Sequence, residues 1–259
     1  DDVRLGALTV KRQKIGLVSE EMGKAFEMSF DGIVGLGFPS LSNATATPLF
    51  DNLVAQGKIA IPEFAFYLHR RPERGGAVLW GNTDSRLYHG PLSWFPVVEE
   101  SYWALELVSI QVGNRTFVSP ESAADDWTAR LHDGLLVTPF NPLLIVDSGT
   151  TFYSLGPEAF GIVMDQAGAR PCDQLAGLPP VVFTLRDSVR GLQDFAVPAE
   201  EYMVRDGLSD ETCYPGFVSV GRDEAMGKDF VILGELFMRY HFTVFSREGA
   251  GGAAGARVG

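Results

Sequence analysis

One carboxylate in this sequence stands where its neighbours could make it reactive. Asp147 directly follows a short apolar run at 143–146, of the kind that forms a strand buried on both faces. Residues 148–151, Ser-Gly-Thr-Thr, then turn the chain and offer hydroxyl groups and a glycine amide. A carboxylate at the end of a buried strand needs such hydrogen bonds. The pattern therefore predicts a reactive Asp-Ser-Gly-Thr loop.

The same loop also fits an ordinary polar turn that caps a strand. A pattern of Asp, Ser or Thr, Gly, and Ser or Thr arises by chance in on the order of one per cent of chains this long. Taken alone, the loop supports the reactive and the structural interpretation equally. Matches elsewhere in the chain decide between them.

Two further segments share an apolar-apolar-glycine step. Phe30 to Ser40 contains Ile33-Val34-Gly35, and Val231 to Phe237 contains Ile232-Leu233-Gly234. Glycine at such a step lets one backbone approach another closely. Together with the Asp147 loop, and in this order, the segments resemble those of the pepsin-like (family A1) aspartic proteases. The resemblance extends from Asp1 to about Arg247 and implies a mostly β, bilobal pepsin-like fold with a few short helices and an incomplete first lobe.

The resemblance implies an aspartic-type endopeptidase, in which two Asp carboxylates activate one water for peptide-bond hydrolysis and no cofactor or metal takes part. A second Asp-Ser/Thr-Gly loop is needed, and the sequence has none, since Asp84-Ser85-Arg86 lacks the glycine. By the resemblance, the first Asp loop and the flap tyrosine would lie upstream of Asp1. We therefore expect the chain to be inactive alone. Glu235 stands where many members of the family have Asp, which leaves the tuning of Asp147 open.

The family's site residues carry over to positions in this sequence. Asp147 would be catalytic, Ser148 would bond to the partner loop, and Gly149 would donate its amide to the carboxylate. Thr150 would bond to the outer carboxylate oxygen, and Thr151 would meet the substrate backbone. Five apolar residues match positions lining the side-chain pockets, with ordinary core packing as the alternative for each: Phe30, Ile33, Tyr102, Ile145 and Ile232.

Composition and motifs exclude several other classes of protein. The 259 residues are 46% hydrophobic, which supplies ample core for one or two lobes, and abundant Gly and Pro favour β structure with turns. A formal charge of −12 argues against nucleic-acid binding. No apolar run approaches the roughly 18 residues of a membrane span. HExxH, CxxC, GxSxG and GxGxxG are all absent, so metal, serine-hydrolase and nucleotide chemistry have little support.

The two cysteines bear on the compartment. By the resemblance, Cys172 and Cys213 form a disulfide of the second lobe, whereas the residues alone leave two free thiols open. A disulfide favours an oxidising compartment, and the sequons at 43–45 and 114–116 fit a secretory chain. The expected location is the secretory pathway, with a secreted or an acidic vacuolar or lysosomal protein. The start at Asp1, without Met or a signal-like segment, is interpreted as a cut end.

The chain divides into three parts. Residues 1–92 are predicted to be the remainder of the N-terminal lobe, and residues 93–248 the C-terminal lobe with the Asp147 loop. Residues 249–259 are almost all Gly and Ala and are predicted to be a flexible tail that leaves a sheet edge unpaired. The polar stretch Ser119–Asp133 is predicted to be a surface loop.

The sequence also predicts two helices and a hairpin. Thr47-Pro48 starts a helix that Gly57 ends, and Pro157 starts another. Residues 64–68 and 77–80 are predicted strands, joined by the basic segment His69–Gly76. A solvated hairpin loop is the favoured interpretation of that segment, and a processing site is the alternative.

The expected partners are a peptide or protein substrate and the chain's own missing N-terminal segment or a prosegment, with no nucleic acid and no membrane span. A non-catalytic binding or structural protein of the same fold remains the alternative, because fold does not fix function. Pairing of two chains through two Asp147 loops is disfavoured, since so much first-lobe sequence is present.

Overall fold

The structure is a computed structural model. It describes residues 1–20, 30–42, 46–118, 136–139, 142–187, 189–206, 209–223, 228–248 and 255–259. The predicted loop Ser119–Asp133 and the sequon at 43–45 lie outside these residues.

Short strands dominate the described chain, as the sequence predicts. In chain order the strands are β1 Val3–Leu5, β2 Leu8–Val10, β3 Glu63–Leu68, β4 Gly76–Trp80, β5 Phe95–Glu100, β6 Trp103–Leu105, β7 Leu107–Val112, β8 Arg115–Val118, β9 Leu136–Pro139, β10 Pro142–Val146, β11 Tyr153–Leu155, β12 Arg170–Pro171, β13 Val181–Asp187, β14 Gly191–Val197, β15 Met203–Asp206, β16 Ser209–Pro215, β17 Phe217–Ser219, β18 Arg222–Asp223, β19 Lys228–Leu233, β20 Thr243–Ser246 and β21 Arg257–Val258. The α-helices are α1 Leu49–Ala55, α2 Pro157–Ala167, α3 Ala199–Tyr202 and α4 Glu235–Met238, and Pro39–Leu41 and Pro72–Arg74 are 3₁₀ turns.

The largest sheet of the described residues has the order β17-β11-β19-β10-β6-β5-β21-β20-β3-β4, with β18 attached to β19. β10 lies inside this sheet, parallel to β19 and antiparallel to β6. An interior strand covered on both faces needs no polar side chain, which explains the continuous apolar run at 143–146. At the far end, β4 pairs with β3 and completes a hairpin.

Three smaller sheets complete the β structure of the described chain. One contains β14, β13, β7, β8 and β9, another contains β12, β16 and β15, and the third is the β1–β2 hairpin. The central pairs of the five-stranded sheet, β13 with β14 and β13 with β7, run antiparallel. Such meanders fit the many Gly and Pro residues between apolar runs.

An aromatic cluster joins the first hundred residues to the end of the chain. Phe64 stacks on Phe245, with ring centroids 4.9 Å apart, and meets the edges of Phe50 and Trp103. The Arg247 guanidinium lies over several of these rings and over Phe38, 4.5 Å from the Phe38 ring centre. Aromatic residues from distant parts of the sequence therefore form one core.

Arg247 is the polar centre of that cluster. Its guanidinium pairs with Asp51 of α1 and donates to the Gly37 carbonyl at 2.8 Å. Burial raises the pKa of the Asp51 carboxyl, and Arg247 opposes that rise. Burial also lowers the pKa of Arg247. A buried cation needs such partners, so Arg247 ties α1 and residue 37 to the strand that precedes it.

Both predicted helices are present. α1 begins at Leu49, one residue after Pro48, and buries Leu49, Phe50 and Leu53, whereas Val54 is 39% exposed. α2 begins at Pro157 as predicted, with its first-turn proline in the position that best tolerates the missing N–H. None of the helices in the described parts of the chain has the length and hydrophobicity to cross a bilayer.

The disulfide implied by the resemblance is present. Cys172 and Cys213 are bonded, and the bridge lies beside the pairing of β12 with β16. Cys213 is buried, so the bridge also contributes to the core of the second half of the chain.

The prediction of a flexible tail is wrong for residues 255–259. β21 pairs with β20 on one side and with β5 on the other, so the edge expected to be unpaired is filled. Ala256 is fully buried and Val258 is 4% exposed. The Gly/Ala-rich composition predicted flexibility, but Ala256 and Val258 are enough to anchor a two-residue strand between two existing partner strands. The Gly/Ala residues 249–254 lie outside the described chain.

Candidate active site

The reactive loop predicted from the sequence follows β10, which is buried along its whole length. β10 pairs with β19 in a register that places Val146 beside Leu233. The ladder continues one residue further, since the Asp147 amide donates to the Leu233 carbonyl at 3.1 Å. Asp147 is therefore fixed at the end of an interior strand.

The loop itself holds the Asp147 carboxylate. The Gly149 amide donates to Oδ1 at 2.9 Å, and the Thr150 hydroxyl donates to Oδ2 at 2.6 Å. The Thr150 amide also donates to the Asp147 carbonyl at 3.3 Å, which closes the turn. A carboxylate oxygen can accept more than one hydrogen bond, and Asp147 is partly exposed. The carboxylate is thus oriented and still able to bind a water or a second acid.

The chain at Gly234 runs directly against this loop. A Cβ placed on Gly234 would lie 2.4 Å from the carbonyl oxygens of both Thr150 and Phe152. No side chain fits at that distance from two backbone oxygens, so glycine is required here. The close approach expected for the Ile232-Leu233-Gly234 step is therefore present.

Helix α4 begins immediately after Gly234 and supports the loop from below. The Glu235 amide donates to the Thr150 carbonyl at 2.7 Å, and the Leu236 amide donates to the Thr151 carbonyl at 3.0 Å. The first N–H groups of a helix lack partners within it, and here the loop carbonyls provide them. The sequence analysis missed this contact, although a glycine directly before a short helical turn is the signal for it.

The Glu235 side chain is turned to its own helix. Its Oε1 atom accepts two hydrogen bonds from the Arg239 guanidinium, one of them from Nε at 3.1 Å. The two residues are four apart, the spacing at which helical side chains meet. The pair was readable from the sequence as an acidic and a basic residue on one helix face.

A small apolar cluster lies on one face of β10 and β19. Alternation along β10 places Leu143, Ile145 and, one residue after the strand, Asp147 on the same side of the sheet. The cluster contains three of the five predicted pocket residues, and it is separate from the main core. Its members are Tyr102, Ala104, Leu143, Ile145, Phe230 and Ile232.

The other two predicted pocket residues are not part of this cluster. Ile33 is 81% exposed and the next residue, Val34, is 57% exposed. Phe30 is partly buried. Among the described residues, a Cβ on Gly35 would meet nothing within 4 Å. Residues 31–35 thus lie exposed, and the chain is anchored from Leu36 onward, whose carbonyl accepts from Trp103 Nε1 at 2.9 Å.

Ser148 and Thr151 occupy the outer side of the loop. Both are exposed. They flank the two residues that hold the carboxylate, of which Gly149 is also exposed and Thr150 is partly buried.

A cavity of about 580 Å³ lies on the opposite side of the same two strands. Its walls include Phe237 of α4 together with Val146 and Leu233, which lie on the opposite face of β10 and β19 from the cluster. His241 also lines it, stacked on Phe237 with ring centroids 4.2 Å apart. Burial, and to a lesser degree Arg70, lower the pKa of His241 to about 4. The Asp147 carboxylate faces away from this cavity, which is therefore distinct from the candidate active site.

The described residues contain no group of three or more His, Cys, Asp or Glu side chains that could hold a metal ion. The chemistry available at the loop is that of one oriented carboxylate with hydroxyl and amide donors. Such a group can accept a proton, hold a water or share a proton with a second acid.

Comparisons with known proteins show the family of the chain. The family model described as "Eukaryotic aspartyl protease" matches residues 1–251. This chain belongs to the eukaryotic aspartyl protease family. The mostly β fold with few short helices is the pepsin-like fold of that family.

Individual members of the aspartyl protease family match nearly the whole chain. Pepsin A-5 of Mus musculus is 36% identical over 251 residues, which are 95% of this chain and 59% of the mouse protein. Pregnancy-associated glycoprotein of Equus caballus is 32% identical over 96% of the chain and 60% of its own length. Aspartic protease 3 of Toxoplasma gondii is 28% identical over 95% of the chain and 36% of its own length. The chain thus spans less than two thirds of each of these relatives.

Proposed function

We propose that the chain is the larger part of an aspartic-type endopeptidase and that Asp147 is one of its two catalytic carboxylates. The observation that carries the proposal is the Asp147 loop itself. The carboxylate is held on both oxygens, at 2.9 Å and 2.6 Å, at the end of a buried strand. Membership of the aspartyl protease family supports the same chemistry.

The reaction needs a second carboxylate beside the first. Two carboxylates so close cannot both ionise, so the pair shares one proton. The ionised member takes a proton from a water held between them, and the water attacks the peptide carbonyl. The protonated member donates its proton to the carbonyl oxygen. Gly149 and Thr150 orient Asp147 for this task, and Ser148 bonds across to the partner loop.

Substrate binding is proposed for residues around the loop. Thr151 is exposed beside the carboxylate and meets the substrate backbone. Tyr102, Ile145 and Ile232 line a side-chain pocket, which is supported by their position in one cluster on the Asp147 side of β10. Ile33 lies in the exposed stretch at 31–35, and Phe30 directly precedes it; both contribute to the pocket once the rest of the first lobe is present.

The second carboxylate must come from outside these 259 residues. Asp147 begins the only Asp-Ser/Thr-Gly pattern of the sequence. The relatives are substantially longer than the region they share with the chain. We therefore propose that the isolated chain is inactive and that an upstream segment supplies the partner Asp and a flap. Residues 1–92 would complete the N-terminal lobe with it, and 93–248 would form the C-terminal lobe.

The experiment compares the 259-residue chain with the protein extended by the upstream segment of its gene. We expect no specific cleavage of a fluorogenic peptide by the chain alone, and acid-favoured cleavage by the extended protein. Asp147→Asn should abolish that activity, whereas Asp84→Asn, at a partly exposed residue paired with Arg86, should not. Specific cleavage by the isolated monomer that disappears in Asp147→Asn would overturn the requirement for a second loop.

A non-catalytic binding protein of the same fold is the second candidate. The observation that favours it is that the 259 residues contain a single Asp-Ser/Thr-Gly pattern. An upstream sequence with a residue other than Asp opposite Asp147, together with peptide binding without cleavage, would establish this role in place of the protease.

The location proposed is the secretory pathway, with a secreted or an acidic vacuolar or lysosomal destination. The Cys172–Cys213 disulfide supports an oxidising compartment. A prosegment is a further proposed partner, alongside a peptide or protein substrate. Treatment of cells with a reductant during synthesis should reduce the yield of folded protein if the compartment is assigned correctly.

A further inference from the structure

The loop between β3 and β4 carries an arginine pattern that the proposed function does not use. Arg71 and Arg74 are separated by Pro72 and Glu73, which gives the sequence Arg-Pro-Glu-Arg followed by Gly75. Serine endoproteases of the secretory pathway that require paired or spaced basic residues cut after the second arginine of such an Arg-x-x-Arg pattern. Every one of these five residues is exposed.

We propose that the bond between Arg74 and Gly75 is a processing site for a basic-residue-specific serine endoprotease. Hydrolysis there adds one water across the peptide bond and leaves a carboxylate on Arg74 and an amino group on Gly75. The product is a two-chain protein made of residues 1–74 and 75–259. This proposal does not depend on the catalytic role of Asp147.

The loop is built so that a protease can pull it into an extended form. Three backbone hydrogen bonds hold its conformation. The Arg74 amide donates to the Arg71 carbonyl at 3.0 Å, and the Gly75 amide donates to the Pro72 carbonyl at 2.9 Å. The His69 amide donates to the Gly75 carbonyl at 3.1 Å. The side of β4 away from β3 has no partner strand among the described residues. Its first residues, Gly76 and Ala77, are exposed, so this end can separate from β3 without disturbing the sheet beyond it. Exposed loop tips of this kind are preferred sites of proteolytic nicking.

The compartment fits this class of protease. The Cys172–Cys213 disulfide forms in an oxidising compartment, where the basic-specific processing enzymes also act. Both cysteines lie after the cut, and the chain has no others. Nothing covalent would therefore join the two products.

Packing would hold the products together. β3, on the first fragment, pairs with β4 through five residues and with β20 through four. Phe64 of β3 packs against Trp103 and Phe245 of the second fragment. Asp51 pairs with Arg247 across the same junction. Apart from the Gly76–Ala77 end of the β3–β4 pairing, these contacts lie away from the loop tip, so the cut leaves them intact.

To test the proposal, the folded 259-residue chain is incubated with a soluble, calcium-dependent serine endoprotease specific for Arg-x-x-Arg. We expect two products on a denaturing gel without reductant, the larger beginning Gly75-Gly76-Ala77 by N-terminal sequencing. The two should co-elute on native size exclusion and separate in denaturant. Arg71→Gln and Arg74→Gln should each reduce cleavage at least tenfold, whereas Arg70→Gln, next to the pattern, should be cut at the unaltered rate.

Several results would overturn the proposal. Absence of cleavage of the folded chain, while a free peptide of residues 67–78 is cut, would show that the fold protects the site. Cleavage at another bond, or cleavage unaffected by Arg74→Gln, would show that the pattern is not the determinant. Separation of the fragments under native conditions would refute the two-chain product. Unfolding of a variant would increase its cleavage, so loss of cleavage in Arg71→Gln cannot come from misfolding.

Discussion

Residues 30–37 and 229–236 carry the same apolar-apolar-glycine step in opposite surroundings. In the second segment Leu233 is 1% exposed, and Gly234 touches the Asp147 loop through two carbonyl oxygens. In the first, Ile33 is 81% exposed and Gly35 has open space around its Cα among the described residues. We call these the closed segment and the open segment.

The difference shows that an apolar-apolar-glycine sequence does not by itself determine whether its segment is buried. The closed segment contains β19, which pairs with β10 and β11. The open segment forms no strand within the described residues and is fastened at its end by Trp103, Ser101 and Arg247. In the open segment two adjacent apolar side chains, Ile33 and Val34, are exposed and available for another chain segment to cover. The comparison is therefore the structural counterpart of the proposal that a first-lobe Asp loop completes the site.

The largest difference between the two segments should be in the free energy of unfolding when one methyl group is added at Gly234 or at Gly35. Gly234→Ala places a Cβ 2.4 Å from the Thr150 and Phe152 carbonyl oxygens, and we expect a loss of about 3 kcal/mol or more in the free energy of unfolding. Gly35→Ala has open space and ordinary backbone angles, so its effect should stay within about 0.5 kcal/mol. Urea denaturation of both variants gives the two values. Equal losses would contradict the contrast.

Acid should lower the free energy of unfolding through protonation of His241. This side chain packs on Phe237 of α4, and burial holds its folded pKa at about 4. An unfolded chain takes up that proton near pH 6.5, so stability is lost as pH falls through the interval between the two values. From about pH 7 to 5 the contribution is about 2 kcal/mol.

Substitution isolates this contribution. His241→Phe should remove about 2 kcal/mol of the pH dependence of unfolding between about pH 7 and 5. The matched control is His89→Gln, which replaces an exposed histidine. Urea midpoints at the two pH values measure the effect. An unchanged slope in His241→Phe would show that folding does not lower the pKa of this histidine.

The hydrogen bonds of the Asp147 loop should have a smaller effect. Thr150→Val keeps the shape of the side chain and removes the hydroxyl that donates to Oδ2 at 2.6 Å. We expect a loss of about 1 kcal/mol, because the carboxylate is partly exposed and water replaces part of the bond. Ser148→Ala, on the exposed side of the same loop, should cost less than about 0.5 kcal/mol. Similar losses for the two variants would show that the loop is not held from its inner side.

Sequence patterns predicted the elements around the site well, since their causes are local. The apolar run before Asp147, the prolines at the starts of the helices and the glycine step each act through neighbouring residues or one close approach. The buried end at Ala256 and Val258 was missed because it depends on two partner strands far away in sequence. The support of the loop carbonyls by α4 was missed for the same reason. The exposure of Ile33 could not be predicted from the sequence either, because apolar residues in an apolar-apolar-glycine step are normally buried.

The smallest effect is expected at the open segment, and it is the one that tests what covers it. In the 259-residue chain, Ile33→Ser with Val34→Ser should change the free energy of unfolding by less than about 0.5 kcal/mol, because both side chains already lie in water. In the protein extended upstream, the same pair should cost about 2 kcal/mol or more, since burial of each side chain would then be lost. Urea denaturation of the four proteins gives the difference. Equal, small values in both backgrounds would mean that the upstream segment does not cover residues 33 and 34, and the open segment would have to be covered by something else.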